Sequence, residues 1–141
     1  MADGGLFFED LSVGQAASFA KTITEADILL FAGISGDTNP VHINEEAAAA
    51  SIFKGRVAHG MLSAALISTV LGTRLPGPGT IYLSQNLKFR APVRPGQTVT
   101  ATATISALDP ARKRATLATL CTVGGKPVIE GEAVVQVQSR G

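Results

Sequence analysis

Cysteine is almost missing: Cys121 is the only one in 141 residues, so no internal disulfide framework can exist. Its setting among alternating small and apolar residues, Ala115 to Val123, marks it as a small buried hydrophobe and not a nucleophile. Charge is scarce as well, at 16% of residues with a formal net charge of +1, which excludes the global field that nucleic acid or an anionic membrane would require. No long hydrophobic run occurs. The most apolar window, residues 61–71, is interrupted by Ser63, Ser68 and Thr69 and is too short to span a bilayer. The first residues, Met1-Ala2-Asp3-Gly4-Gly5, lack the basic region and apolar core of a signal peptide, so the cytoplasm is the expected location. What is present is 45% apolar residues without any low-complexity tract, enough for one ordered domain over residues 1–141 and too few residues for two comfortable ones. With so little charge and only 5% aromatics, more surface asks to be hidden than one chain can hide, and an oligomer is expected. The basic clusters at Lys88, Arg90 and Arg94 and at Arg112, Lys113 and Arg114 read as solvated strand ends and a turn.

Periodicity divides the chain into a helical front and a stranded back. Gln15 to Ile23 alternates as a strand with Ala17, Phe19, Lys21 and Ile23 on one side. Thr24 then offers an N-cap, with Glu25 and Asp27 in the first helical turn, where negative charge suits the helix dipole. That helix stops near Gly33 to Gly36, and Asn39-Pro40 makes Asp37 to His42 a loop, because a residue before proline is biased away from helical angles. Asn44 caps a short alanine-rich helix that ends by Gly55. A third helix, from Gly60 to Gly72, is apolar almost all round, the mark of a helix buried on every side. Past Pro76-Gly77-Pro78-Gly79 the period becomes two. Strands are predicted from Ile81 to Arg90, around Val99 to Ile105, from Arg114 to Val123 and, after a tight turn at Gly124-Gly125, from Pro127 to Gln138. The fold class is therefore α+β, a curved antiparallel sheet wrapped around a long central apolar helix.

Two segments carry chemistry. Asp37 and His42 stand five residues apart in Gly36-Asp37-Thr38-Asn39-Pro40-Val41-His42, and Gly55-Arg56-Val57-Ala58-His59-Gly60 runs straight into the apolar helix. An aspartate and a histidine sharing one water can supply both the base for an attacking oxygen and the proton for a carbon beside a carbonyl. A glycine N–H at a helix start combines close approach with the positive end of the dipole, which suits a developing oxyanion. Taken singly, each residue has a plainer reading. Asp37 and Asn39 serve as turn formers, His42 and His59 as hydrogen-bonded structural histidines, and Gly60 as a conformational residue only. Asp37, His42, Glu45, Glu46 and His59 are also candidate metal ligands. No histidines stand at i, i+4 and there is no cysteine cluster, so a metal is rejected, with Glu45 and Glu46 better explained as first-turn charges. No serine sits in a G-x-S-x-G turn, which removes a serine hydrolase.

With those residues in place, the chain resembles the MaoC-like dehydratase family of hot-dog folds, and within it the R-specific enoyl-CoA hydratases. The resemblance is carried by FAGISGDTNPVH (Phe31 to His42) and FKGRVAHG (Phe53 to Gly60), with GTIYLSQ (Gly79 to Gln85) and FRAPVRPG (Phe89 to Gly96) marking the fold, and it extends from about Leu11 to the last strand. It implies that Asp37 and His42 hold and activate a water, reversing the plainer reading of the pair. Gly60, by its position at the helix start, suits the oxyanion donor this chemistry needs, and the resemblance further implies that Asn39 helps order the site and that Ser68 and Leu71, three apart on the central helix, line an acyl pocket. The implied reaction is reversible hydration of a trans-2-enoyl-CoA to an (R)-3-hydroxyacyl-CoA. The implied assembly is a homodimer with its two sheets side by side, binding an acyl-CoA thioester and neither nucleic acid nor membrane. No prosthetic group is implied, because coenzyme A arrives with the substrate. Three rivals share the fold: a dehydratase on acyl-carrier-protein substrates, an acyl-CoA thioesterase, and a non-catalytic acyl-thioester-binding subunit. The intact Asp37/His42 pair followed by His59-Gly60 counts against the last two.

Overall fold

The computed structural model describes residues 4–141. After a single 3-10 turn at Phe8–Asp10, the elements are β1 (Ala16–Thr22), α1 (Glu25–Ser35), α2 (Pro40–Ile43), α3 (Glu45–Ala49), α4 (Gly60–Thr73), β2 (Ile81–Phe89), β3 (Thr98–Asp109), β4 (Arg114–Val123) and β5 (Lys126–Gln136). The strands form one antiparallel sheet in the order β1-β3-β4-β5-β2, and α4 packs against β1, β2, β3 and β4. This is the expected hot-dog arrangement, with the sheet left open at β1 and β2.

Alternation sets which side of the sheet meets α4. Val99, Ala101, Ala103 and Ile105 of β3 are buried, as are Ala115, Leu117 and Cys121 of β4, while the intervening threonines of β3 stay partly exposed. Pairing lines up Phe19, Ala101, Cys121, Ile129 and Phe89 as one row across all five strands. The first turn of α4 lies over this row, since the Cys121 thiol donates to the Ser63 carbonyl at 3.6 Å. The β4–β5 connection is the expected two-glycine turn, with φ of 56° at Gly124 and 80° at Gly125, angles that both favour glycine.

Three sequence readings change. The stretch from Asp37 to His42 is not all loop: Asn39 keeps an extended ψ of 127°, but Pro40 begins α2, its fixed φ suiting a first helical position and its missing N–H costing nothing there. The helix capped by Asn44 is as expected, over Glu45–Ala49 and ending before Gly55. Helix α4 is not buried on every side. Ser63, Ala64, Leu66, Ile67, Val70 and Leu71 are buried, whereas Met61, Ala65, Ser68 and Gly72, one helical stripe, face outward, because a single sheet covers one side only. Strand β2 alternates cleanly only after a bulge between Tyr82 and Ser84, which leaves Leu83 as the extra residue. The basic residues are also more engaged than solvated strand ends would be: Arg94 donates to the carbonyls of Phe53, Gly55 (3.0 Å) and Arg56 (3.5 Å), and Arg90 pairs with Glu130 at 2.7 Å.

Candidate active site

Helix α1 sets the first wall. Thr24 and Asp27 form a reciprocal capping box at its start, and the Lys21 ammonium, 2.7 Å from Asp27, holds that carboxyl below its usual range. At its end Gly36 takes a left-handed φ of 78° and returns its N–H to Ala32, turning the chain so that Asp37 leaves the helix at once. The carboxylate of Asp37 accepts the Asn39 N–H at 3.3 Å, and the Asn39 side-chain oxygen caps α2 by accepting from Val41 at 3.2 Å. Both turn-forming readings thus hold in the structure. They do not exhaust the residues, because Asp37 and Asn39 also line a cavity of about 580 Å³.

His42 lies on α2, 9% exposed, and its Nδ1 is 2.7 Å from the Val57 carbonyl. A carbonyl only accepts, so Nδ1 carries the proton and Nε2 keeps a lone pair. Segment 57–59 acts as a splint for the whole site. Val57 also donates its N–H to Val41 at 3.1 Å, Ala58 donates to Val93 at 2.7 Å, and His59 Nε2 donates to the Asp37 carbonyl at 2.8 Å. The His42 and His59 rings stack with centroids 3.8 Å apart and planes inclined by 26°. One carboxylate oxygen of Asp37 and one ring nitrogen of each histidine lie within 4.8 Å of one another. With one nitrogen of each ring already donating to a carbonyl, this trio is arranged for proton transfer.

The same cavity reaches the start of α4. Gly60 is the first helical residue, so its N–H has no acceptor within the helix, and the preceding His59 gives the helix no side-chain cap. A helix N-terminus without a side-chain cap thus lines the same cavity as Asp37 and His42. Packing explains the glycine: a Cβ there would lie 2.7 and 2.8 Å from two carbons of the Phe89 ring.

The structure brings Asp37, Asn39, His42 and Gly60 to one cavity. Ser68 lines a second cavity of about 520 Å³, together with Phe31, Ala64, Ala65 and residues 82–85 and 87, and Met61 belongs to the walls of both. Leu71 is placed elsewhere. It is 1% exposed, belongs to the core and lines neither cavity, because the boundary between the buried and open sides of α4 runs between it and Ser68. Three contributors had no sequence signal. Val57 acts through its backbone, which no residue type encodes. Phe89 reads simply as a strand residue. Ser63, on the inner face of α4, lines the first cavity with its hydroxyl buried and without a partner among the described residues.

Residues 11–125 match the MaoC like domain. The chain belongs to that family. It is 64% identical over 135 residues to an (R)-specific enoyl-CoA hydratase of Rhodospirillum rubrum, covering 96% of this chain and 94% of that one. It is 50% identical over 135 residues to a 3-hydroxybutyryl-CoA dehydratase of Methylorubrum extorquens, covering 96% and 86%. Among solved structures it superposes on the (R)-hydratase of Aeromonas caviae involved in PHA biosynthesis with a TM-score of 0.89 at 42% identity, covering 92% of this chain and 98% of that one. This MaoC-like fold thus brings Asp37, Asn39, His42 and the Gly60 helix start to a single cavity.

Proposed function

We propose that this MaoC-like protein is a hydro-lyase that reversibly hydrates trans-2-enoyl-CoA to (R)-3-hydroxyacyl-CoA. The observation that carries the reading is His42, its Nδ1 held by the Val57 carbonyl and one of its ring nitrogens within 4.8 Å of an Asp37 carboxylate oxygen, in the cavity that the uncapped N-terminus of α4 also lines. In the hydration direction Asp37 and His42 hold one water. As its oxygen bonds to C3 of the enoyl group, one water proton passes to the pair, and the C2–C3 π electrons move toward the thioester. The thioester oxygen gains negative charge, which the Gly60 N–H and the helix dipole stabilise. The enolate then takes a proton at C2 from the same pair, so both new bonds form on one face and the pair returns to its starting state. Each positioned acid/base group of this kind supplies ~10²–10⁴ in rate. The (R) product is supported by the name of the Rhodospirillum rubrum relative, an (R)-specific enoyl-CoA hydratase, and by that of the Aeromonas caviae (R)-hydratase.

The acyl tail is assigned to the second cavity, past Met61 and along Ala65 and Ser68. Asn39, whose side-chain oxygen is engaged in the cap, has its amide N–H groups left for the water. A homodimer fits the outer surface. The edge strand β2 exposes Ile81, Tyr82 and Leu83, and α1 exposes Leu29, Leu30 and Ile34, large apolar side chains that a second copy would cover. A monomeric mass by light scattering at micromolar concentration excludes the dimer. Among the described residues no helix is long and apolar enough to cross a membrane, and the cytoplasm is the compartment we assign.

The deciding assay follows loss of conjugated enoyl-thioester absorbance with crotonyl-CoA and longer enoyl-CoAs, with enoyl thioesters of acyl carrier protein in parallel. Asp37→Asn and His42→Ala are each expected to lose ~10²–10⁴ in kcat. Absence of turnover at every chain length, or mutants equal to wild type, rejects the reading, and thiol release without hydration assigns a thioesterase instead.

A further inference from the structure

The reaction as derived leaves one buried titratable side chain of the cavity unused. His59 is 2% exposed and touches every part of the machinery. Its Nε2–H holds the backbone of Asp37 at 2.8 Å, and one ring face stacks on His42 at 3.8 Å. The Phe31 ring packs against it at 4.9 Å and 55°, and its own backbone leads directly into Gly60. The charged and titratable groups facing it are Asp37 and His42, while Phe31 adds none.

Because Nε2 donates to a carbonyl, the neutral ring has a lone pair on Nδ1. That atom is buried and has no partner among the described residues, and the same is true of the Ser63 hydroxyl, four residues on and 1% exposed. Buried polar atoms are nearly always paired. An acceptor and a donor left over on the same helical turn, in the wall of one cavity, complement each other, and the three staggered settings of the Ser63 χ1 allow its hydroxyl to be aimed.

We propose that His59 is a positioning residue for the acid/base step, acting through Asp37 and His42, and that the Ser63 hydroxyl donates to its Nδ1 and keeps it a neutral Nε2–H tautomer. The reason for neutrality is electrostatic. His42 becomes positively charged when it takes the proton of water, and an imidazolium stacked 3.8 Å away would oppose that charge. A neutral ring stacks without that penalty and still holds Asp37 in register.

This inference rests on the hydratase reading for its kinetics and on the geometry alone for its spectroscopy. In the kinetic arm, His59→Phe keeps a ring and loses the donor, and His59→Gln keeps a donor and loses the ring. His59→Phe is expected to lose ~10²-fold in kcat with KM little changed, the scale of an ångström-sized misplacement of a reacting group. His59→Gln is expected to recover part of that loss. Circular dichroism melts assure that folded protein is compared. Folded His59→Phe protein with wild-type kcat overturns the positioning role. In the spectroscopic arm, ¹⁵N-labelled histidine reports ring tautomers directly. The wild type is expected to show His59 as the neutral Nε2–H form with a hydrogen-bonded Nδ1, Ser63→Ala to shift that Nδ1 resonance, and Ser63→Thr to restore it. An Nδ1 resonance unmoved by Ser63→Ala overturns the Ser63 contact. If the wild type hydrates no enoyl thioester, the hydratase reading fails while the spectroscopic arm still decides the contact.

Discussion

Gly60→Ala separates the role of the helix start from the stability of the fold. The added methyl would meet two Phe89 ring carbons at 2.7 and 2.8 Å, about 1 Å inside ordinary carbon–carbon contact. Phe89 lies on the edge strand and is 54% exposed, so its ring can swing outward while the backbone of α4 keeps its place. Alanine also has the higher helix propensity, by less at a first helical position than the ~1 kcal/mol of a helix interior, which offsets part of the cost of the displaced ring. The melting temperature is therefore expected to change little. Turnover is a different matter. A methyl beside the Gly60 N–H keeps the thioester oxygen from that donor, and losing one oxyanion donor costs ~10²–10³ in kcat, or about 2.7–4 kcal/mol of transition-state stabilisation. Since the oxygen is charged only near the transition state, kcat and kcat/KM are expected to fall together. Initial rates with crotonyl-CoA measure this, and the double variant Gly60→Ala/Phe89→Ala controls for the moved ring. A single variant within threefold of wild type refutes the donor assignment. So does full recovery in the double variant, which would trace the loss to Phe89.

Three further outcomes follow from the same geometry. Leu71→Ala, deep in the core and away from both cavities, is expected to cost about 2–5 kcal/mol of stability in urea unfolding while leaving kcat per folded molecule unchanged; a selective loss of long-chain activity would return Leu71 to the acyl pocket. Ser68→Phe is expected to fill the second cavity and lower kcat/KM by about fourfold for each methylene it displaces, sparing crotonyl-CoA, and an unchanged chain-length profile would take the acyl tail out of that cavity. Burial pushes the Cys121 thiol up to about 11, so the native protein is expected to resist a thiol-directed disulfide reagent at pH 8 and to react fully on denaturation, whereas rapid native reaction would contradict its place under α4.

Much of this architecture is local and so was legible in the chain. Thr24 and Asp27 cap α1, Asn44 caps α3, paired glycines turn β4 into β5, and period two marks β3 and β4, because each depends on residues within a few positions of one another. Asp37, His42 and Gly60 were also readable as candidates, from residue type and spacing. The errors share a cause. The proline rule describes Asn39 and says nothing against a helix starting at Pro40, and an all-apolar helix does not reveal how far a single sheet wraps around it.

By itself, then, the sequence determined the α+β class, the order of the strands and the longer helices, and a short set of groups able to exchange protons. Tertiary structure alone decided which atoms of that set are free to act. The Val57 carbonyl takes Nδ1 of His42 and leaves Nε2, and the Asp37 carbonyl takes Nε2 of His59 and leaves Nδ1. Packing of α4 on the sheet hides Leu71 and leaves Ser68 facing outward. Backbone carbonyls are the same at every position of a chain, so which one meets which ring is settled only when segments distant in sequence are brought together.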